Sequence, residues 1–170
     1  LGSSDASLVL DTLKASLTQD GLETKADLVI EDVLKLGGIK AVVDSNLDSL
    51  STLSEMVKAE LPRTGPWVLQ IKADTENLES PVTVAAQLEG EGTKTVVDAS
   101  FPDLLAPQTF ETQLNVNIES FARIGALLGK EITEDKPVKI TGKARVKPGE
   151  YRIEELTLRE EQSEVLATLV

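Results

Sequence analysis

A mainly β chain with short α-helices, an α+β fold built on a curved, mostly antiparallel, groove-like sheet, is predicted by three features of the sequence. Long stretches alternate apolar and polar residues, turn residues separate those stretches, and the whole pattern returns after about 71 residues. Each unit reads as roughly four strands followed by one short helix, a ββββα order.

The elements follow in chain order. Residues 1–7 read as a disordered or vector-derived start. Leu13, Ala15 and Leu17 then alternate with Lys14, Ser16 and Thr18, the period of two that gives a strand one buried and one wet face. Asp20-Gly21 favours a reversal. From Asn46 to Val57 the period changes, because Leu50, Leu53, Met56 and Val57 lie three or four apart and Asp48 or Ser49 can cap the start. A short helix is expected there. Past Leu61, Pro66 opens a strand in which Trp67, Leu69, Ile71 and Ala73 alternate with Val68, Gln70, Lys72 and Asp74. Gly90-Glu91-Gly92 turns the chain again. Phe110, Thr112, Leu114 and Val116 form a further alternating run, and Asn117–Leu128 repeats the helical stripe at Phe121, Ile124, Leu127 and Leu128, with Gly129 placed to stop it. Pro137 then opens the alternation of Val138 to Val146, which Lys147-Pro148-Gly149 ends. Turns this short imply antiparallel neighbours.

Sliding the chain against itself by 71 positions, without gaps, makes the recurrence explicit. Thr12, Ala15, Leu17, Gly21, Thr24, Asp27, Asp32 and Leu34 fall on Thr83, Ala86, Leu88, Gly92, Thr95, Asp98, Asp103 and Leu105. Asn46, Ser49, Glu60, Pro66, Lys72 and Ala73 fall on Asn117, Ser120, Glu131, Pro137, Lys143 and Ala144. The expected organisation is a first unit at 8–65, a second at 66–136 and a partial third at 137–170, in one continuous array. Val170 aligns with Ala99, inside a unit, so a longer parent array is expected.

Composition narrows the function. Apolar residues make up 41% of the chain, enough for a sizeable core, but only 3% are aromatic, so the interior is aliphatic. A formal charge of −12 repels nucleic acid, and no nucleic-acid partner is expected. Histidine and cysteine are absent, which removes the usual general base, thiol nucleophiles and most metal-ligand sets. A non-enzymatic protein without metal or cofactor is therefore expected. No apolar run reaches the ~18 residues that span a bilayer, so membrane contact is expected only through segments outside this sequence.

Sharper motifs have ordinary explanations. Asp44-Ser45-Asn46-Leu47-Asp48, with Glu55 beyond, has the ligand spacing of a calcium loop, but Ser49 stands where that loop needs glycine, and helix capping accounts for the polar residues. Glu154-Glu155 and Glu160-Glu161 are adjacent strand or turn positions, expected to point to opposite faces rather than converge as paired carboxylates. Gly142-Lys143 lacks the rest of a phosphate loop. Trp67 reads as a core or rim residue, and Lys139, Lys143, Arg145 and Lys147 as a solvated basic stripe.

Several phrases carry a family resemblance: Asn46-Leu47-Asp48-Ser49-Leu50, Leu61-Pro62, Gly65-Pro66, then Asn117-Ile118-Glu119-Ser120-Phe121 through Pro137 and Gly142 to Gly149-Glu150-Tyr151-Arg152-Ile153-Glu154-Glu155-Leu156-Thr157-Leu158. In this the chain, from about residue 8 to 170, resembles the AsmA-like proteins of Gram-negative bacteria, of the AsmA, YhdP and TamB type. The resemblance implies an elongated periplasmic β-groove, in a parent protein anchored in the inner membrane, that passes phospholipids toward the outer membrane and so serves its biogenesis. The family's amino-terminal anchor has no counterpart here. Residues on the apolar register of their strands are the expected groove lining: Leu13, Leu17, Leu69, Ile71, Val84, Leu88, Leu114, Val116, Ile140 and Ile153. Their partners would be phospholipid acyl chains, whose burial is worth roughly 0.8 kcal/mol per methylene. Strand edges could also receive neighbouring repeats or other copies. The alternative is a structural or interaction β-scaffold with a closed core and no lipid ligand.

Overall fold

The computed structural model describes residues 9–33, 37–77, 79–102, 109–120, 122, 125, 131, 133, 135–160 and 163–169. Ten strands run in chain order: β1 (Leu10–Gln19), β2 (Leu22–Asp32), β3 (Gly37–Leu47), β4 (Trp67–Thr75), β5 (Val82–Gly90), β6 (Thr93–Phe101), β7 (Phe110–Ile118), β8 (Val138–Lys147), β9 (Glu150–Glu160) and β10 (Ser163–Leu169). They form one sheet in that same order, and each strand is antiparallel to the next. The fold is mainly β, as the alternation predicts, and the sheet is open: among the described residues β1 and β10 are its two edges. Pairing of β3 with β4, and of β7 with β8, carries it without a break across the expected unit boundaries at 65/66 and 136/137.

Short turns explain this meander. Glu91 (φ 50°) and Gly92 (φ 66°) both take positive φ, the two-residue connection whose twist suits antiparallel strands. Pro148 precedes Gly149 (φ 75°), so proline fixes the first turn position and glycine supplies the left-handed second. Some spacings recur. β2 and β6 begin at Leu22 and Thr93, β3 and β7 end at Leu47 and Ile118, and β4 and β8 begin at Trp67 and Val138, each pair 71 positions apart. Asp48 N–H donates to the Gly21 carbonyl at 2.9 Å, and Glu119 N–H donates to the Gly92 carbonyl at 2.9 Å, again with an offset of 71.

Helix is scarcer than the sequence predicts. In the expected helix Asn46–Val57, the first two residues belong to β3, where Asn46 pairs with Glu23 and Val68, and Leu47 with Leu22 and Trp67. Pairing on both sides holds them extended. A 3₁₀ turn at Leu50–Leu53 and the single turn α1 (Ser54–Val57) remain, begun by the Ser49 hydroxyl accepting from Ser51 N–H and ended by Lys58 in the left-handed region. In the second expected helix, Asn117 and Ile118 likewise belong to β7, and Phe121, Ile124, Leu127 and Leu128 lie outside the described residues.

The most buried apolar residues are Leu47, Trp67, Val82, Ile118 and Val138. Four of these, all but Val82, lie on one transverse row at one end of the strands. The core is thus at the margin of the sheet, not its middle.

Candidate functional site

Directly opposed residues in an antiparallel ladder share a face, so the pairing registers sort every strand residue onto one side or the other. One face is aliphatic. Across it run parallel rows, perpendicular to the strands. The end row is Leu22, Leu47, Trp67, Gly90, Thr93, Ile118 and Val138, and the next is Leu17, Thr24, Ser45, Leu69, Leu88, Thr95, Val116 and Ile140. A third holds Ala15, Ala26, Val43, Ile71, Ala86, Val97, Leu114 and Gly142, and a fourth Leu13, Leu28, Ala41, Ala73, Val84, Ala99, Thr112, Ala144 and Ile153.

All ten residues expected from the sequence lie on this face. Leu17, Leu69, Leu88, Val116 and Ile140 share the second row, Ile71 and Leu114 the third, and Leu13, Val84 and Ile153 the fourth. The expected lining leaves out the small residues between them: Ala73 is on the expected apolar register of its strand but not in the lining, and Ala26, Ala86 and Ala99 are not expected on that face, because a lone alanine carries little alternation signal. The polar residues on the face are partly satisfied among themselves: the Thr24 and Ser45 hydroxyls are 2.9 Å apart.

The rows differ in cover. Segment 48–66 folds over the end row, tied down by Asp48 N–H to the Gly21 carbonyl, Leu50 N–H to the Thr64 carbonyl at 2.9 Å, and Trp67 Nε1–H to the same Thr64 carbonyl at 2.9 Å. Trp67 is 2% exposed as a result. Gly90 makes room for it: a Cβ there would lie 2.5 Å from the Pro66 carbonyl oxygen and 2.7 Å from the indole ring. Leu69, Ile71, Val84, Leu88, Leu114, Val116 and Ile140 are only half-buried, and Leu13 and Leu17 on the edge strand are each 55% exposed. No described element packs across these middle rows; the main contacts join sequence-adjacent strands. Rows two to four span about five residues, or ~17 Å, and the ten strands ~43 Å, giving roughly 700 Å². Thr24, Ser45, Thr95 and Thr112 interrupt that footprint, and the aliphatic residues between them are partly exposed.

The other face is polar and holds the described clefts. One, of about 570 Å³, has Thr83, Ala85 and Ser100 in its floor and Lys72, Asp74, Asp98, Glu111, Lys143 and Arg145 around it. A second, of about 710 Å³, is bordered by Glu89, Lys94, Asn117, Lys139 and Arg159. Small side chains on β5 and β6 between long ones on β4 and β7–β9 make the first hollow. Both signs of charge line each cleft, so neither presents a single-sign field.

Two of the four residues of the expected basic stripe, Lys143 and Arg145, are ion-paired. Lys143 Nζ lies 2.8 Å from Glu155 Oε2, and Arg145 lies 2.8 Å from Glu111 and 4.0 Å from Glu154. The hydrogen bond that Lys143 Nζ donates to Glu155, then the charge of that carboxylate, holds the Lys143 ammonium above its ordinary pKa of 10.5, and Glu31 does the same for Lys40. Here the structure corrects the expectation that Glu154 and Glu155 point to opposite faces. Glu155 has φ 54° and sits in a β-bulge, where the register shifts between Thr141 and Lys143, so both carboxylates reach the polar side.

The remaining motifs are structural in their setting. Asp44–Leu47, the start of the calcium-like spacing, is extended strand in β3. Among the described residues no three acidic side chains gather to hold a metal ion. No helix among them is long and apolar enough to cross a membrane. Comparison with protein families, curated proteins and solved structures found no match.

Proposed function

We propose that the chain is a non-enzymatic, lipid-handling segment of an AsmA-like periplasmic protein, in which the middle rows of the aliphatic face form a groove for phospholipid acyl chains. The observation that carries the reading is the aliphatic face whose middle rows no described element packs across, a footprint of roughly 700 Å² by strand geometry. An aliphatic face left open to water favours an occupant. Val, Leu, Ile and Ala without a dominant aromatic contact give a lipid no single tight pocket, so a chain can slide along the rows. Sixteen carbons fully buried would gain roughly 12 kcal/mol at most, which the shallow contact of an open face reduces.

The proposal includes a tandem repeat of 71 residues as the building plan. It draws on the strand boundaries and on the paired bonds from Asp48 to Gly21 and from Glu119 to Gly92. Such units extend a sheet by adding strands at its edge, and the aliphatic rows lengthen with it. Transfer between the inner and outer membranes is the role the family resemblance implies for a groove of this kind.

The decisive experiment extracts the purified protein with organic solvent and examines the extract by mass spectrometry. Phospholipid in near-stoichiometric amount is expected, and its absence after purification from a membrane-containing lysate would sink the reading. Leu114→Asp should keep the fold and abolish lipid retention, because Leu114 lies on the half-buried third row. Loss of the fold in that variant would instead favour a closed core. The second reading, a scaffold that engages other proteins, is favoured by the two mixed-charge clefts on the polar face. Under it, with a closed core, the Asp variant loses its fold and the wild type carries no lipid.

A further inference from the structure

We infer that Lys94, Asn117, Lys139 and Arg159 form a binding site for a phosphate group on the polar face, in the cleft of about 710 Å³ beside the β5–β6 turn. The four lie on one transverse row, on strands β6 to β9. Towards β2 the same row continues through Glu89, Val68, Asn46 and Glu23, so its charge changes sign halfway along the sheet. At an offset of 71, Asn117 falls on Asn46, but Lys94 and Lys139 fall on Glu23 and Val68. Only the second half of the row places cations around the shared amide.

Cross-strand pairing marks these cations as unusual. Charges that meet directly across strands in this sheet are mostly of opposite sign, as at Lys25 and Asp44, Lys40 and Asp74, and Glu111 and Arg145. Like charges directly opposite destabilise a sheet. Among the described residues two like pairs occur, Arg145 with Arg152 and Lys139 with Arg159. The first is neutralised, because Arg145 lies 2.8 Å from Glu111 and Arg152 lies 3.2 Å from Glu150. In the second, Arg159 is also opposite Glu164 of β10, but Lys139 has no carboxylate partner among the described residues. Lys94 stands two strands from Lys139, roughly 10 Å by sheet spacing, and keeps Glu89 at 3.4 Å. Between them Asn117 Nδ2 donates to Asn115 at 3.4 Å and has a second N–H to give. Two ammonium groups and an amide can converge on one tetrahedral oxyanion, whose charge offsets the repulsion between Lys139 and Arg159. Glu89, Glu91 and Glu119 also border the cleft, which suits a small anion held by a few groups and not a polyanion drawn by a field. The site lies on the face opposite the aliphatic rows and does not depend on the acyl-chain reading, so either can fail alone.

The test titrates the intact protein with sodium phosphate at constant ionic strength, sodium chloride making up the balance, and follows the amide NMR signals of the four residues. Saturable shifts centred on this row are expected. Lys139→Gln should weaken binding about fivefold, the size of one exposed charge pair, while Lys72→Gln, which alters an exposed cation of the other cleft, should leave it unchanged. A second arm adds phosphatidylglycerol vesicles: retention on them that requires Lys139 and is displaced by phosphate identifies a lipid headgroup as the source, and phosphate shifts without retention identify a soluble ion or ester. Shifts that chloride reproduces, that fail to saturate, or that Lys72→Gln weakens as much as Lys139→Gln does overturn the site.

Discussion

The end row and the middle rows of the aliphatic face are built from the same kinds of residue, yet they have opposite fates. Leu47, Trp67, Ile118 and Val138 are nearly inaccessible, whereas Ile71, Leu114 and Val116, one or two rows away, stay half-open. At Leu47 and Trp67 the difference is cover, not composition: segment 48–66 reaches only the strand ends there. Burial there is where packing energy concentrates, and the middle rows hold their strands chiefly through the ladders on either side. A sheet built this way can keep an apolar surface free without losing its fold, because its inner strands are paired on both sides.

Experiments that break this contrast should differ in size. Trp67→Ala removes the largest buried side chain of the end row together with its bond to Thr64, and a loss of about 3–5 kcal/mol is expected in urea denaturation. Gly90→Val should cost about 1–3 kcal/mol by the same measurement, through overpacking against the indole. Ile71→Ala, on the third row, should cost less, about 1–2 kcal/mol, since part of that side chain already meets water. An Ile71→Ala loss as large as that of Trp67→Ala would mean the middle rows are covered in solution and would remove the contrast.

The smallest effect is on the polar face. Lys143 should titrate above the ordinary lysine value of 10.5, and Glu155→Gln should return it toward that value in an alkaline NMR titration. A raised lysine pKa supplies its stabilisation fully below the unfolded pKa and loses it as pH rises through the folded one. The contribution of this pair should therefore be constant between pH 7 and 9, with any decline confined to higher pH. Glu155→Gln removes that contribution, so its difference from wild type should be present at pH 7 and should narrow only as pH rises through the lysine's folded pKa.

Much of the face was legible beforehand. Once Leu69 and Ile71, or Leu114 and Val116, are taken as strand residues two apart, the period of two puts each pair on one side, and hydrophobicity says which. That the ten expected residues share a single face follows when their strands pair in register. The helices were over-read because Asn46 and Leu47 suit a capped amphipathic start as well as a strand end, and only pairing with Glu23, Leu22, Val68 and Trp67 decides between them.

The sequence by itself determined the strand character, the turns at Gly21, Gly92 and Gly149, and the separation of aliphatic from charged positions. These depend on residues adjacent in the chain, through backbone sterics and the alternation of side chains. Tertiary structure alone decided which row is covered, that Glu154 and Glu155 reach the same side, and that small residues on β5 and β6 open a cleft beneath Lys72 and Arg145. Each of these depends on groups brought side by side from different strands, and no local periodicity encodes how far a covering segment reaches.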